Sequence, residues 1–220
     1  MSYESETKNA YRNIEKANLY KNQYIKGFKW ARFTMWKQKK IIEKLLDFCE
    51  FDESKGKILD VPCGAGYIGD ILSELNAQVF ASDISFEMIE LAMQEYPGEN
   101  FSGFLQSDIT ELPFNGREFT CSIILALMHR LPKKIRMDVL KEIIRVTSRY
   151  IIISYSIQNN LQKIKQFILS KINKNYLPAP AGISMKEIEK DFSYNNLKII
   201  KKKRVISFLS SKIVFLLEKN

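Results

Sequence analysis

Between residues 4 and 52 apolar positions recur at helical spacing. Trp30, Phe33, Ile41, Leu45 and Phe48 alternate with Lys and Glu, a period that predicts helix. Gly27 marks a break between a short leading helix and a longer one. From Lys57 the period changes. Lys57–Val61 (KILDV) reads as a buried strand, Pro62-Cys63-Gly64-Ala65-Gly66 as a tight turn, and Tyr67–Leu75 as a helix ending near Asn76. Gln78–Ser82 predicts a second strand. Ser85 is placed as the N-cap of a helix with Met88, Ile89 and Ala92 on one face. Phe101–Gln106 is a third strand. Phe119–Leu127 (FTCSIILAL) is a fourth, with the unbroken apolar character of a strand covered on both faces. Lys133–Thr147 is an amphipathic helix and Tyr150–Tyr155 a fifth strand.

Strands alternating with helices predict right-handed βαβ units and an α/β, doubly wound parallel sheet. After residue 155 the rhythm changes. Gln158–Asn175 reads as a lysine-rich helix, residues 177–182 as a loop, and Ser184–Phe192 as a helix in which Ser184 and Glu187 form a capping box. Leu197–Ser207 and Lys212–Glu218 predict two final strands paired as a hairpin. There is no internal repeat.

Composition agrees with a folded domain. The 220 residues are 45% hydrophobic and 27% charged, which excludes a disordered tail, a collagen-like rod and a small disulfide scaffold. No run approaches the ~18 apolar residues of a membrane span, and the first twenty residues lack the apolar core of a secretory signal. Cys49, Cys63 and Cys121 have unrelated spacings and no C-x-x-C clip. A reduced, cytoplasmic setting is the expectation.

Charge is uneven. Residues 45–120 hold 3 basic and 15 acidic residues, a balance of −12, against 31 and 10, or +21, elsewhere. Basic flanks fit an anionic partner. They also fit a lysine-rich composition, since Lys outnumbers Arg 26 to 8.

The chemistry concentrates in Ile58-Leu59-Asp60-Val61-Pro62-Cys63-Gly64-Ala65-Gly66-Tyr67-Ile68-Gly69, a G-x-G-x-x-G turn between a predicted strand and helix. Glycines there let the chain turn sharply and let a ligand approach the backbone. Asp83, seventeen residues after Gly66 at the next strand end, suits the two hydroxyls of a ribose. Asp108 follows the third strand and suits an adenine amino group. Two ligands compete: a nicotinamide dinucleotide and S-adenosylmethionine. A pyrophosphate favours an uncharged helix N-terminus, whereas Asp60 at the strand tip suits a ligand carrying an ammonium and a sulfonium.

The segments ILDVPCGAGYIGDIL, VFASDIS, SDITELPF and FTCSIILALMHRLP together resemble the class I S-adenosylmethionine-dependent methyltransferases, clearly over about residues 28–156. The resemblance implies a seven-stranded Rossmann-like sheet of order 3-2-1-4-5-7-6 with strand 7 antiparallel. It implies that Asp60, Gly64 and Gly66, with Pro62 and Cys63 in the same turn, hold the methionine end of S-adenosylmethionine. Asp83 takes the ribose, with Ile84 a further cofactor-binding position, Met88 packs on the adenine, Asp108 and Ile109 contact the adenine, and Leu125 offers a carbonyl to the amino group. The product would be S-adenosylhomocysteine.

His129, the single histidine, lies in Met128-His129-Arg130-Leu131-Pro132, where related enzymes often carry His-His-x-Pro. It is the candidate general base, with packing on the cofactor as the alternative. Cys63 and Cys121 read as core residues. Carboxylates and histidine are too sparse near the fourth strand for a metal site. Tyr11, Tyr20, Tyr24, Phe28, Trp30 and Trp36 are candidates for a lid.

The chain is thus expected to be one domain. Residues 1–52 form an N-terminal helical lid, 55–156 the cofactor-binding core, 157–183 a substrate-side insertion with Phe167, Ile168 and Tyr176, and 184–220 a helix and closing hairpin. A small-molecule acceptor, anionic in view of the flanks, is favoured. The Asn/Asp-Pro-Pro-aromatic motif of nucleic-acid amino-methylating enzymes is missing after the fourth strand. An rRNA or tRNA methyltransferase and a silent S-adenosylmethionine-binding partner subunit stay open as alternatives, with a nicotinamide-dependent reductase further off.

Overall fold

A computed structural model describes residues 29–51, 56–158, 182–207 and 210–219, together with Glu15, Asn18 and Lys21. Its strands are β1 (Lys57–Asp60), β2 (Gln78–Asp83), β3 (Phe101–Gln106), β4 (Phe119–Ile124), β5 (Thr147–Ser156), β6 (Leu197–Arg204) and β7 (Lys212–Lys219). Its helices are α1 (Lys29–Leu46), α2 (Gly69–Ser73), α3 (Phe86–Ala92), α4 (Lys133–Val146) and α5 (Met185–Tyr194), with a 3₁₀ turn at Met128–Arg130. The strands form one sheet in the order β3-β2-β1-β4-β5-β7-β6. β1 to β5 are mutually parallel, while β7 runs antiparallel to both β5 and β6. The expected α/β sheet, its strand order and the closing hairpin are all present.

The middle strands are largely buried because both sheet faces are covered. Side chains alternate between faces along each strand. Leu59, Ile151, Ile153, Tyr155 and Phe215 join Val139 and Leu140 of α4 and Ile188 and Phe192 of α5 in one core. Ile58, Ile123, Ile152 and Leu216 join Ile42 and Leu45 of α1, Leu72 of α2 and Ile89 of α3 in the other. The second contact surface corrects the helical face read from sequence. Of the five expected positions Leu45 is buried, but Trp30, Phe33 and Phe48 are exposed, and Met35, Ile42, Leu46 and Cys49 pack inward instead. Two polar residues, Thr34 and Gln38, share that buried face, which is why the sequence pattern conceals it.

Caps set the helix starts. Ser85 Oγ accepts from Met88 N at 3.2 Å, as expected of an N-cap. Ser184 Oγ accepts from Glu187 N at 3.2 Å. The Glu187 carboxylate is bonded to Arg136 on α4 (2.5 Å), whose Nε also donates to Asp191 of α5 at 2.9 Å. Arg136 and Asp191 are both buried, so this pair fixes α5 to α4 behind the sheet. Gly27 and nearly all of the predicted 158–175 helix lie outside the described residues. No helix among the described residues is long and apolar enough to cross a membrane.

Candidate cofactor and acceptor site

The C-terminal ends of β1, β2, β3 and β4 lie side by side, and each feeds a loop into one cavity of about 750 Å³. The first loop is built by backbone bonds. Cys63 N donates to Ser82 O (2.8 Å) and Gly66 N to Cys63 O (3.0 Å). Gly64 has φ +53° and Gly66 φ +78°, left-handed conformations that favour glycine. α2 starts only at Gly69, later than the period suggested, because the residues before it are used by this loop.

Two of these glycines do different work. A Cβ on Gly69 would lie 2.1 Å from the carbonyl oxygen of Glu95, backbone against backbone, whereas one on Gly64 would meet nothing within 4 Å. Gly69→Ala is therefore expected to lower stability by about 3 kcal/mol through overpacking. Gly64→Ala should lose about 1 kcal/mol, from its conformation alone. Chemical denaturation of both variants checks this, and equal losses would refute the packing account.

Asp60, at the tip of β1, is buried and accepts from Tyr96 Oη at 2.5 Å. Burial, opposed by that hydrogen bond and reinforced by the charge of Asp83, raises its pKa to about 7. Tyr96 is held in turn by the rings of Phe101 and Phe104, at 5.0 and 5.4 Å. Asp83 is also buried. Its two oxygens accept from Gly64 N and Ser85 N, each at 2.9 Å, so it organises the glycine loop as well as facing the cavity. Burial raises its pKa, and its backbone hydrogen bonds oppose the rise. Asp108 accepts from Thr110 N (3.0 Å) and Thr110 Oγ1 (2.8 Å) in a local turn.

Asp60, Pro62, Cys63, Gly64 and Gly66 line the cavity from the first loop, Asp83, Ile84 and Met88 from the second, Asp108 and Ile109 from the third, and Leu125 from the fourth. The structure thus brings together all eleven residues that the sequence placed at a cofactor. Cys63 is buried with its thiol pKa pushed up by burial, as a core residue. All three cysteines are free.

His129 is placed differently. In a 3₁₀ turn, side chains three apart lie over one another. Leu127 and Arg130 line the cavity, Met128 is buried in the core, and His129 is not among the lining residues. Its Nδ1 is buried without a hydrogen-bond partner among the described residues. Burial, with the charges of Arg130 and Lys212, lowers its pKa to about 4. The sequence expectation is a general base with an ordinary imidazole pKa.

Other lining residues were not among the sequence's cofactor candidates. α1 contributes Phe33, Met35, Trp36 and Gln38, and Tyr67 Oη donates to Met35 O, tying the glycine loop to this helix. Of the two lid aromatics among the described residues, Trp36 lines the cavity and Trp30 does not. Tyr11, Tyr20, Tyr24 and Phe28 lie outside the described residues, as do Phe167, Ile168 and Tyr176 of the insertion. After β4 the backbone turns at Ala126, with φ +57°, and Ala126 N donates to Ser154 Oγ at 2.9 Å. Lys212 enters from the start of β7. No group of three or more His, Cys, Asp or Glu among the described residues is arranged to hold a metal ion.

Residues 58–149 match the sequence family described as "Methyltransferase domain". This stretch is thus similar to a methyltransferase domain. Its relatives include demethylmenaquinone methyltransferase of Clavibacter sepedonicus, 28% identical over 101 residues, 46% of this chain and 41% of that protein. The Bacillus subtilis (strain 168) protein YqeM is 28% identical over 115 residues, 51% and 47% of the two chains. The matched stretch thus spans less than half the length of each of these relatives. In fold the domain is similar to magnesium protoporphyrin IX methyltransferase from Synechocystis PCC 6803, solved with bound S-adenosylhomocysteine. The TM-score is 0.68 at 17% identity, with 88% of each chain covered. The eleven wall residues surround the end of the sheet at which open α/β domains receive ligands.

Proposed function

We propose that the chain transfers a methyl group from S-adenosylmethionine to a small-molecule acceptor. The observation that carries this is the row Asp60, Asp83 and Asp108, set on three adjacent strand ends along one wall of a cavity. In this reading Asp60 meets the ammonium of the methionine end, with Gly64 and Gly66 giving it access to the backbone. Asp83 and Ile84 take the ribose, Asp108 and Ile109 the adenine with Met88 against its ring, and the Leu125 carbonyl the amino group. The cofactor supplies an activated methyl on a good leaving group, so the protein's task is in-line positioning of the acceptor and exclusion of water. His129, held neutral and outside the cavity wall, is given no proton in this scheme.

A small acceptor is favoured over RNA because the cavity is walled by α1 and falls within the roughly 300–1,000 Å³ of small-molecule sites. Two similar methyltransferases are named for small molecules, a demethylmenaquinone and a magnesium protoporphyrin. Calorimetric titration with S-adenosylmethionine and S-adenosylhomocysteine is the direct test. Binding of both is expected, and tight NADH binding without response to either would sink the reading. An acceptor screen following S-adenosylhomocysteine release then separates an enzyme from a silent partner subunit.

A further inference from the structure

Asp60 comes to the cavity with one oxygen already bonded. Tyr96 Oη donates to its Oδ2 at 2.5 Å, and Asp60 lines the cavity whereas Tyr96 does not. Tyr96 therefore stands behind the acid, and Oδ1 is the oxygen left to a ligand. Both side chains are buried. Burial and the charge of Asp60 push the Tyr96 phenol well above its ordinary pKa, so it stays a proton donor.

The surroundings of Tyr96 hold it in that place. The β3 rings of Phe101 and Phe104 pack against it at 5.0 and 5.4 Å, the second edge-on. The segment that carries it is pinned to the end of α2 and the loop beyond. Gly98 N donates to Ser73 Oγ at 3.2 Å, and Asn100 Nδ2 donates to the carbonyls of Leu72, Leu75 and Ala77 at 2.9–3.0 Å. The G-x-G-x-x-G segment makes room for it. A Cβ on Gly66 would lie 2.6 Å from the Cβ of Glu95, and one on Gly69 would lie 2.9 Å from the Tyr96 ring. A Cβ on Gly64 would meet nothing within 4 Å. Two of these glycines thus seat the Glu95-Tyr96 segment beneath the loop, which brings the tyrosine to the strand tip.

We propose that Tyr96 is a positioning residue for the methyl donor, its hydroxyl fixing the Asp60 carboxylate so that Oδ1 meets the ammonium of the methionine end. The inference rests on the S-adenosylmethionine reading and adds to it a residue outside the cavity wall. A carboxylate already held by a fixed donor loses less freedom when a ligand binds. The same hydrogen bond favours the ionised carboxyl, which burial disfavours. The other ionisable groups acting at Asp60 are Asp83 at the end of β2 and Cys63 in the glycine loop. Elsewhere on the cavity wall Glu95 is paired with Lys21 at 2.9 Å and Lys39 with Asp70, while Arg32, Asp108, Arg130 and Lys212 complete its charged groups among the described residues. Tyr96→Phe leaves all of these in place and keeps the packed ring.

The test compares the wild type with Tyr96→Phe in two measurements. The first needs no ligand. Wild-type stability, from urea denaturation, falls with rising pH until Asp60 is ionised, at about pH 7. In Tyr96→Phe the fall should run about one pH unit further, since losing a hydrogen bond to a charged group raises the carboxyl pKa. The second measurement is titration with S-adenosylhomocysteine. The variant should bind about 30-fold more weakly at pH 6, narrowing to about four-fold at pH 8.5, where Asp60 is mostly ionised in both proteins and the loss of orientation remains. In an Asp60→Asn background Tyr96→Phe should change affinity at pH 6 by less than about three-fold, because the hydroxyl acts through the carboxylate. A merely structural tyrosine would weaken binding by one factor at both pH values and in both backgrounds. That result, or an unmoved stability profile, would overturn the proposal. If S-adenosylhomocysteine fails to bind the wild type, the methyl-transfer reading falls and this proposal with it. If it binds both proteins equally, this proposal alone falls.

Discussion

Replacing Arg136 with methionine is expected to lower the unfolding free energy by about 3–5 kcal/mol, the usual loss when one partner of a buried ion pair is removed. Arg136 bonds Asp191 at 2.9 Å and Glu187 at 2.5 Å, and both Arg136 and Asp191 are buried. The substitution leaves Asp191 enclosed between α4 and α5 with its charge unmatched. Glu187 is more exposed and turns to water at little cost. The pair itself need not be stabilising, since its desolvation offsets much of its attraction. Arg136→Met with Asp191→Leu should therefore recover most of the loss. Urea denaturation of the wild type, Arg136→Met, Asp191→Leu and the double variant checks both parts. An additive double variant would show that the two side chains are not coupled.

Asp60→Asn is expected to move stability and cofactor affinity in opposite directions. The Asp60 pKa stands at about 7, raised first by burial, against roughly 3.9 in an unfolded chain. Between those values the folded protein keeps a proton that the unfolded chain releases. Stability therefore falls as pH rises through that window, by about 1.4 kcal/mol per unit, and levels off above about pH 7. Asparagine carries no charge and still offers Tyr96 an acceptor. The variant should match the wild type near pH 4 and exceed it by about 4 kcal/mol at pH 8. It should bind S-adenosylmethionine about 10–100-fold more weakly, as a charged hydrogen-bond partner is lost. In the wild type, a cationic ligand favours the ionised carboxyl, so binding should release a proton and strengthen from pH 5 to 8. Calorimetry in buffers of different ionisation enthalpy measures that proton. Variant stability parallel to the wild type across pH would reject the assignment.

Much of this site was legible because it depends on local rules. A strand end, a glycine pair and an acid at the end of each of three strands are written in nearby residues, and Ser85 announces α3 by its own chemistry. The parts that were not legible depend on contacts distant in sequence. Tyr96 gives no sign that it holds Asp60, thirty-six residues earlier. Ala126 takes a left-handed conformation that sequence patterns assign to glycine. In α1 the neighbouring pairs Ile41-Ile42 and Leu45-Leu46 allow two apolar faces, and only the sheet decides between them. His129 was chosen from residue identity, which carries no turn geometry. The 3₁₀ turn gives the cavity Leu127 and Arg130 instead.

The position of β6 at the margin of the sheet bears on a different matter, the solubility of the molecule. An open margin is a row of unpaired backbone groups that a second chain can extend. Here that strand reads Leu197-Lys198-Ile199-Ile200-Lys201-Lys202-Lys203-Arg204, five cations in eight residues, four of them exposed. Lys201 lies over the ring of Phe48 at 4.6 Å and shields an aromatic that the fold leaves outside. Two copies approaching along this margin would bring ten positive charges together. Part of the chain's basic excess thus serves as a guard against strand-to-strand association, independent of any anion the protein binds.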